Sequence, residues 1–374
     1  MLSSVSGVGA GTLVGDQGQV ITVTRADPRA CRLATDYSSN VLLAANTPRV
    51  EPLGLLVEPS GRNYTPYSSV FEHSNWRRDS NNGAITVTAN STDVTDPFGG
   101  NLADKIDLPA ASSGYAYLSE FFATDVAARV PFTLWLRTLT GTKTIQTFMW
   151  FGGVGIYYST WNVTSSWQRF SFTNDIAAGT AFNASFGYDS GAPGFPGYPA
   201  ATVYAYGAQT ERAYFPSSLI DNTDATVSSR TVEAASTPTT AAWPVTAGYA
   251  SVDFTPLWST SAGSVARTLI STVASGNGWA LQITAGDKLR FATLNGAVEV
   301  DVDSTSALTW TRGTTYTCRV DFSGAGVTLT RDGVQVGTGT IAMPSSIGGT
   351  AYIGSYDATT QQCFGNLKAL TVAG

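Results

Sequence analysis

Glu299, Asp301 and Asp303 stand at every second position of the run Glu299-Val-Asp-Val-Asp303. A strand here would carry all three carboxylates on one face, with Val298, Val300 and Val302 on the other. Two carboxylates facing one cleft can divide the work of hydrolysing a glycosidic bond, and a cluster of them can bridge calcium. A row of acids opposite a row of valines is also what a half-exposed strand needs with no chemistry at all. The segment Met149-Trp150-Phe-Gly-Gly-Val-Gly-Ile-Tyr157-Tyr158-Ser-Thr-Trp161 offers something different. Trp150, Tyr157, Tyr158 and Trp161 are flat rings over which pyranose C–H groups can lie, and the glycines between them let the backbone turn sharply. The same rings would serve equally to fill a core or a subunit interface. His73 is the only histidine, in Phe71-Glu-His-Ser-Asn-Trp76; it has no nucleophilic or metal motif around it and reads as a surface or loop residue. Neither Cys-x-x-Cys nor Gly-x-Ser-x-Gly occurs, so no catalytic residue, metal or cofactor is expected.

The elements that must hold these residues are strands. Seven Glu, four Lys and three Met against 38 Gly and 16 Pro leave few helix formers and much turn chemistry. A chain of 374 residues, 43% hydrophobic and 13% charged, is long enough for two packed cores. Its net charge of −6, with no basic cluster beyond Arg77-Arg78, speaks against nucleic acid as a ligand. Cys31, Cys318 and Cys363 are too sparse for a disulfide framework and are expected as buried thiols, with a Cys318–Cys363 pair as the alternative. Residues 1–15 lack the charged and apolar regions of a signal peptide, and no later run is apolar enough to insert in a membrane. The expectation is a product made in a cytoplasm that leaves the cell by lysis or as part of a particle.

Three segments follow from the patterning. Residues 1–62 contain short apolar runs, such as Gln19-Val-Ile-Thr-Val-Thr24, Val41-Leu-Leu43 and Gly54-Leu-Leu-Val57, but not enough to close a core. They must pack on a later domain, another copy of the chain or a larger assembly. Residues 63–222 alternate as strands at Ile85–Thr88, Phe132–Leu136 and Trp167–Phe172, with Trp135 and Trp167 expected in the core. After a Gly/Pro loop at 191–199, Thr202–Tyr206 closes a first sandwich. Within residues 223–374, a connector to Trp243 has too little apolar content for a core strand. Beyond it, runs at 279–283, 289–291, 298–302, 316–322, 327–329 and 334–336, joined by turns such as Asn295-Gly296, read as the antiparallel meander of a second sandwich.

Taken in order, Ala45-Asn-Thr-Pro-Arg49, Gly54-Leu-Leu-Val-Glu-Pro59, Asn63, Trp76, Gly100 to Ile106, Trp167-Gln-Arg169, Gly207-Ala-Gln-Thr-Glu211 and Pro216-Ser-Ser218 resemble the head-spike and fibre proteins of tailed bacteriophages. Their central module is similar to carbohydrate-binding jelly rolls. Gly278-Trp279, Asp332-Gly333 and Tyr352-Ile-Gly354 look like a concanavalin A-like, laminin-G-like sandwich, in which Trp279 and Trp310 would occupy packing positions. The resemblance implies an all-β virion appendage, on head or tail, with two sandwiches in tandem behind an extended N-terminal attachment segment. Its implied partners are virion structural proteins at a capsid vertex or tail and a host surface polysaccharide. A closed homo-oligomer is expected because tethered copies make weak single sites useful, a trimer first and a pentamer second. The acidic strand also resembles the Glu-x-Asp-x-Glu strand of concanavalin-like endoglucanases, but Asp303 replaces the last Glu and would set a proton donor back by about 1.5 Å. A glycan depolymerase using Glu299, Asp301 and Asp303, and a purely structural decoration protein, are the rival readings.

Overall fold

The structure, a computed structural model, describes residues 54–374 apart from 124–127, 153–154, 177–180, 214–215, 223, 226, 231, 240–242, 261–264, 297 and 325. Of residues 1–53 it describes the strands Ser6–Gly7, Thr12–Val14, Val20–Thr24 and Val50–Glu51. All regular structure among the described residues is strand, and no helix is long and apolar enough to cross a membrane. Cys31, Val41 to Leu43 and Ala45 to Arg49 lie outside the described residues.

The chain divides into two compact units, one built on residues 61–230 and one on residues 231–374 with strands from the first sixty residues. In the first unit, one five-stranded sheet runs in the order Gly155–Val163, Lys143–Phe151, Ala181–Asp189, Tyr115–Ala123, Arg77–Ser80. The other runs Gln168–Ile176, Ala128–Arg137, Ala201–Thr210, Asp104–Leu108, Thr86–Thr88. Successive strands cross repeatedly between the sheets, as in a jelly roll. Leu118, Phe132, Leu134, Ile145, Met149, Phe186 and Val203 interlock between them.

The outer faces of these two sheets are treated differently. On the Ala128–Arg137 sheet, Trp135, Tyr204 and Tyr206 form a second apolar cluster with Val94, Ala103 and Leu219. The segment that covers them is held in shape by Asp96, whose carboxylate accepts the backbone N–H groups of Phe98, Gly100 and Leu102. Trp167 joins this cluster and donates its indole N–H to the Thr95 carbonyl at 2.8 Å. Glu211, in the motif of the fibre resemblance, is likewise structural. It is buried, accepts hydrogen bonds from Gln209 and Ser217, and lies in the field of Arg230 and Arg169; burial raises its carboxyl despite them.

The second unit packs a nine-stranded sheet against a seven-stranded one. The expected meander is present as Arg267–Ser271, Gly278–Ile283, Leu289–Asn295 and Val298–Asp303, and again as Tyr316–Ser323, Gly326–Arg331 and Val334–Gly339. Trp279 and Trp310 are fully buried, and Cys318 and Cys363 are buried free thiols whose ionisation burial suppresses.

The described strands of residues 1–62 pack on a later domain, one of the places the sequence allowed: Gly54–Val57 pairs with Gly365–Ala373 in the seven-stranded sheet, and Val20–Thr24 pairs with Ala234–Pro238 in the nine-stranded one. The supposed connector therefore contains a strand. Its Ala and Ser side chains add little apolar area, but its backbone is paired on both sides, by Val20–Thr24 and Thr350–Ile353, and that satisfies the main-chain polar groups. Leu55, Leu56 and Val57 are each at least 97% buried. Leu56→Ala should therefore cost about 2–5 kcal/mol, read as a lower urea midpoint for the second unit.

Candidate functional site

Among the described residues, no segment organised like the one held by Asp96 covers the outer face of the sheet centred on Ala181–Asp189. Residues directly opposite one another in an antiparallel pair share a face, so the registers define what it displays. Trp150 stands opposite Asn183, and Asn183 opposite Phe121. In the next rows come Phe148, Ser185 and Ser119, then Gln146, Gly187 and Tyr117, with Asp79 beside Tyr117. On the edge strand, Ile156 pairs with Trp150 and Tyr158 with Phe148.

Trp150 is 38% exposed and Phe121 42%. They lie two strands apart, a gap of roughly 9.5 Å at the usual strand spacing, with Asn183 between them. Asn183 Oδ1 accepts the Trp150 backbone N–H at 3.1 Å, and its amide nitrogen has no protein acceptor among the described residues. Below it, the Ser185 hydroxyl is buried without a hydrogen-bond partner. Arg77 lies 4.9 Å from the Phe121 ring centroid and pairs with Asp79 at 3.0 Å.

The far end of the face is more tightly knit. Tyr117 packs edge-on against Phe148 at 4.7 Å between centroids, and Phe148 against Tyr158 at 5.5 Å. The Tyr158 hydroxyl donates to Asp189 Oδ2 at 2.8 Å, and the Gly191 N–H donates to Oδ1 at 3.0 Å. Burial, then the charges of Asp79 and Asp189, push the Tyr117 hydroxyl up to about 12. Burial and its bond to Asp189 push Tyr158 up as well.

Of the four rings singled out from sequence, Trp150 and Tyr158 share this face. Trp161 does not: opposite Ile145, it lies in the core, 5% exposed and stacked on Phe170 at 5.1 Å. Tyr157, opposite Met149, is on the core side of the edge strand with its ring against Phe151 at 5.5 Å. The sequence reading missed Tyr115, Tyr117 and Phe121. Their signal is an aromatic at positions 115, 117 and 121 with Ala116 and Leu118 between, a period of two that separates ring face from core face. His73 is a loop residue, its ring stacked on Tyr67 at 3.5 Å.

The acidic strand of the second unit has another use. Arg290 lies 2.7 Å from both Asp301 and Asp303 and 3.8 Å from Glu299, so one guanidinium gathers all three carboxylates and is itself held more firmly protonated, first by Asp303. Only Val302 of the three valines is buried; Val298 and Val300 are exposed, because the strand forms the edge of its sheet. Among the described residues no group of three or more His, Cys, Asp or Glu could hold a metal ion.

No family model and no curated protein matches the chain. Among solved structures, it is similar to domains LG4-5 of the mouse laminin alpha1 chain (15% identity, TM-score 0.27, 71% of this chain and 84% of that one). It is also similar to the CBM22-1-CBM22-2 tandem of Paenibacillus barcinonensis Xyn10C (8%, 0.29, 85% and 99%). A third likeness is to the botulinum neurotoxin serotype D binding domain (12%, 0.31, 38% and 37%), of whose length the chain spans little more than a third. At these identities and scores none of them says what this chain binds.

Behind the face, Glu120 points into the core with Oε2 unpartnered; burial pushes its carboxyl up to about 7 against a hydrogen bond from Asn75. A folded-state value above the unfolded one, near 4.3, means the fold prefers the protonated acid. The penalty is absent at acidic pH, grows through the window between those two values and is complete above the upper one. The thermal midpoint of the first unit should fall across that window, and Glu120→Gln should flatten the fall; an equal fall in the variant would place its origin elsewhere.

Proposed function

We propose that this protein is a non-catalytic glycan-binding appendage of a tailed-phage particle, using the outer face of its first sandwich to hold host surface polysaccharide. What supports the glycan reading above all is the arrangement of Trp150 and Phe121 on either side of Asn183. Two exposed rings flank a largely buried amide whose nitrogen has no acceptor among the described residues, and the gap between their strands suits one pyranose, with apolar faces for its C–H groups and a donor for its hydroxyls. Arg77, Gln146 and Asp189 extend the polar lining along the face.

The placement on a virion, the homotrimer and attachment through residues 1–62 rest on the resemblance to spike and fibre proteins. Multivalent display suits a shallow face of this kind, since a single slot on an open sheet buries little of its ligand and gains from tethering. The depolymerase reading is the weaker one. Hydrolysis needs an acid and a base or nucleophile flanking a cleft, whereas Glu299, Asp301 and Asp303 on the edge strand share one arginine from the strand beside it.

Glycan-array screening of the full chain, followed by calorimetry on the best hit, tests the glycan reading. Trp150→Ala and Phe121→Ala should each weaken monovalent binding at least tenfold, about 1.4 kcal/mol, with melting nearly unchanged. Trp161→Ala should instead cost about 3–5 kcal/mol of stability. A native chain that binds no glycan, or two stable slot variants that bind as tightly as the native chain, would overturn the reading.

A further inference from the structure

Resting on the glycan reading above, we infer that this face selects neutral, hydroxyl-rich glycans and turns away acidic ones, because Asp189, a carboxylate that no cation pairs with among the described residues, lies on the same face beyond the Trp150–Phe121 pair. The register places Asp189 opposite Tyr115, one row beyond Gly187 and Tyr117. Its two oxygens accept from the Tyr158 hydroxyl and the Gly191 N–H. Neither bond carries a positive charge, and among the described residues no cation pairs with it. Each oxygen keeps a lone pair for a further donor.

The charges nearby do not cancel this. Asp79, on the far side of Tyr117, is paired with Arg77 at 3.0 Å and also accepts from the Ser119 hydroxyl at 3.2 Å. Arg77 and Asp79 neutralise each other, so the three charged groups described on the face sum to one negative charge. Tyr117 lies in the field of both carboxylates, and their charges help to hold its proton in place. A phenol that keeps its proton is a donor as well as an acceptor, a further match for sugar hydroxyls. A ligand hydroxyl near Asp189 would donate to the carboxylate, a charge-assisted bond stronger than one between neutral groups. A ligand carboxylate or sulfate in the same place would meet like charge on a face partly shielded from water, where Coulomb repulsion exceeds its value in bulk solvent. Discrimination of this kind comes from a repulsive element built into the site.

The test compares matched ligands on the full chain. The neutral oligosaccharide bound best on the array is oxidised at C6 to its uronic acid, and both forms are titrated by calorimetry at low and high salt, against the native chain and Asp189→Asn. Asn keeps an acceptor for the Tyr158 hydroxyl, and a melting curve checks that the variant is folded. The neutral form should bind at least tenfold tighter than the acid, and the gap should narrow in high salt and in Asp189→Asn. If the array's best ligands are acidic, or the two forms bind equally, the inference fails while the glycan reading stands. If the gap persists unchanged in Asp189→Asn, the selectivity does not come from this carboxylate and the inference fails. If no glycan binds at all, the glycan reading fails and takes the inference with it.

Discussion

The strand Ala181–Asp189 lies tight against its neighbour at Gly187, and the face depends on that contact. Gly187 adopts φ +141°, and a Cβ built on it would run into the Ala116 carbonyl and the Tyr117 backbone. A residue with a side chain could not sit there without moving the Tyr115–Ala123 strand. The close approach fixes Gly187 opposite both Gln146 and Tyr117, and because side chains alternate, everything else follows. One step of slippage would turn Asn183, Ser185 and Asp189 into the core and expose Phe182, Ala184 and Phe186.

That constraint explains why the two outer faces of one sandwich differ. On the Ala128–Arg137 sheet the large outward rings, Trp135, Tyr204 and Tyr206, are roofed by a segment that Asp96 organises, and they become a second core. On the Ala181–Asp189 sheet the outward positions of the central strand are Asn183, Ser185 and Gly187. These short side chains are themselves buried, Asn183 at 7% and Ser185 at 0% exposed, while Trp150 and Phe121 on the flanking strands remain more than a third exposed. Exposed rings flanking short polar side chains suit a ligand that is itself part apolar and part hydroxyl.

How far the sequence could be read turns on the same alternation. Strands such as Phe132–Leu136 and Trp279–Ile283, buried on both faces, and the turns between strands were legible because runs rich in apolar residues are bounded by turn residues. The segment Trp150–Trp161 was legible as aromatic-rich but not as a surface. It forms a hairpin whose register sends Trp150 and Tyr158 outward and Trp161 inward, and the length of that turn, not composition, decides which ring goes where. Tyr115, Tyr117 and Phe121 went unseen because aromatic and aliphatic residues both count as apolar, so the segment looks like a buried strand until its neighbours are known. Ala234–Pro238 went unseen for the opposite reason, since backbone pairing on both sides makes it a strand without apolar side chains. The acidic strand was correctly placed as acids on one face, but Arg290, the residue that gives them their role, lies on the adjacent strand.

The central claim is positional: one sugar ring stands over Asn183 between Trp150 and Phe121. A crystal structure of the full chain with its best-binding neutral oligosaccharide tests it most directly. The account predicts a pyranose in that gap, with a hydroxyl accepting from the Asn183 amide and the next residue of the chain running toward Tyr117. Ligand density on the Leu289–Asp303 strands of the second unit, or in the cleft between Asp107, Leu139 and Lys143 with the Trp150–Phe121 gap empty, would contradict it.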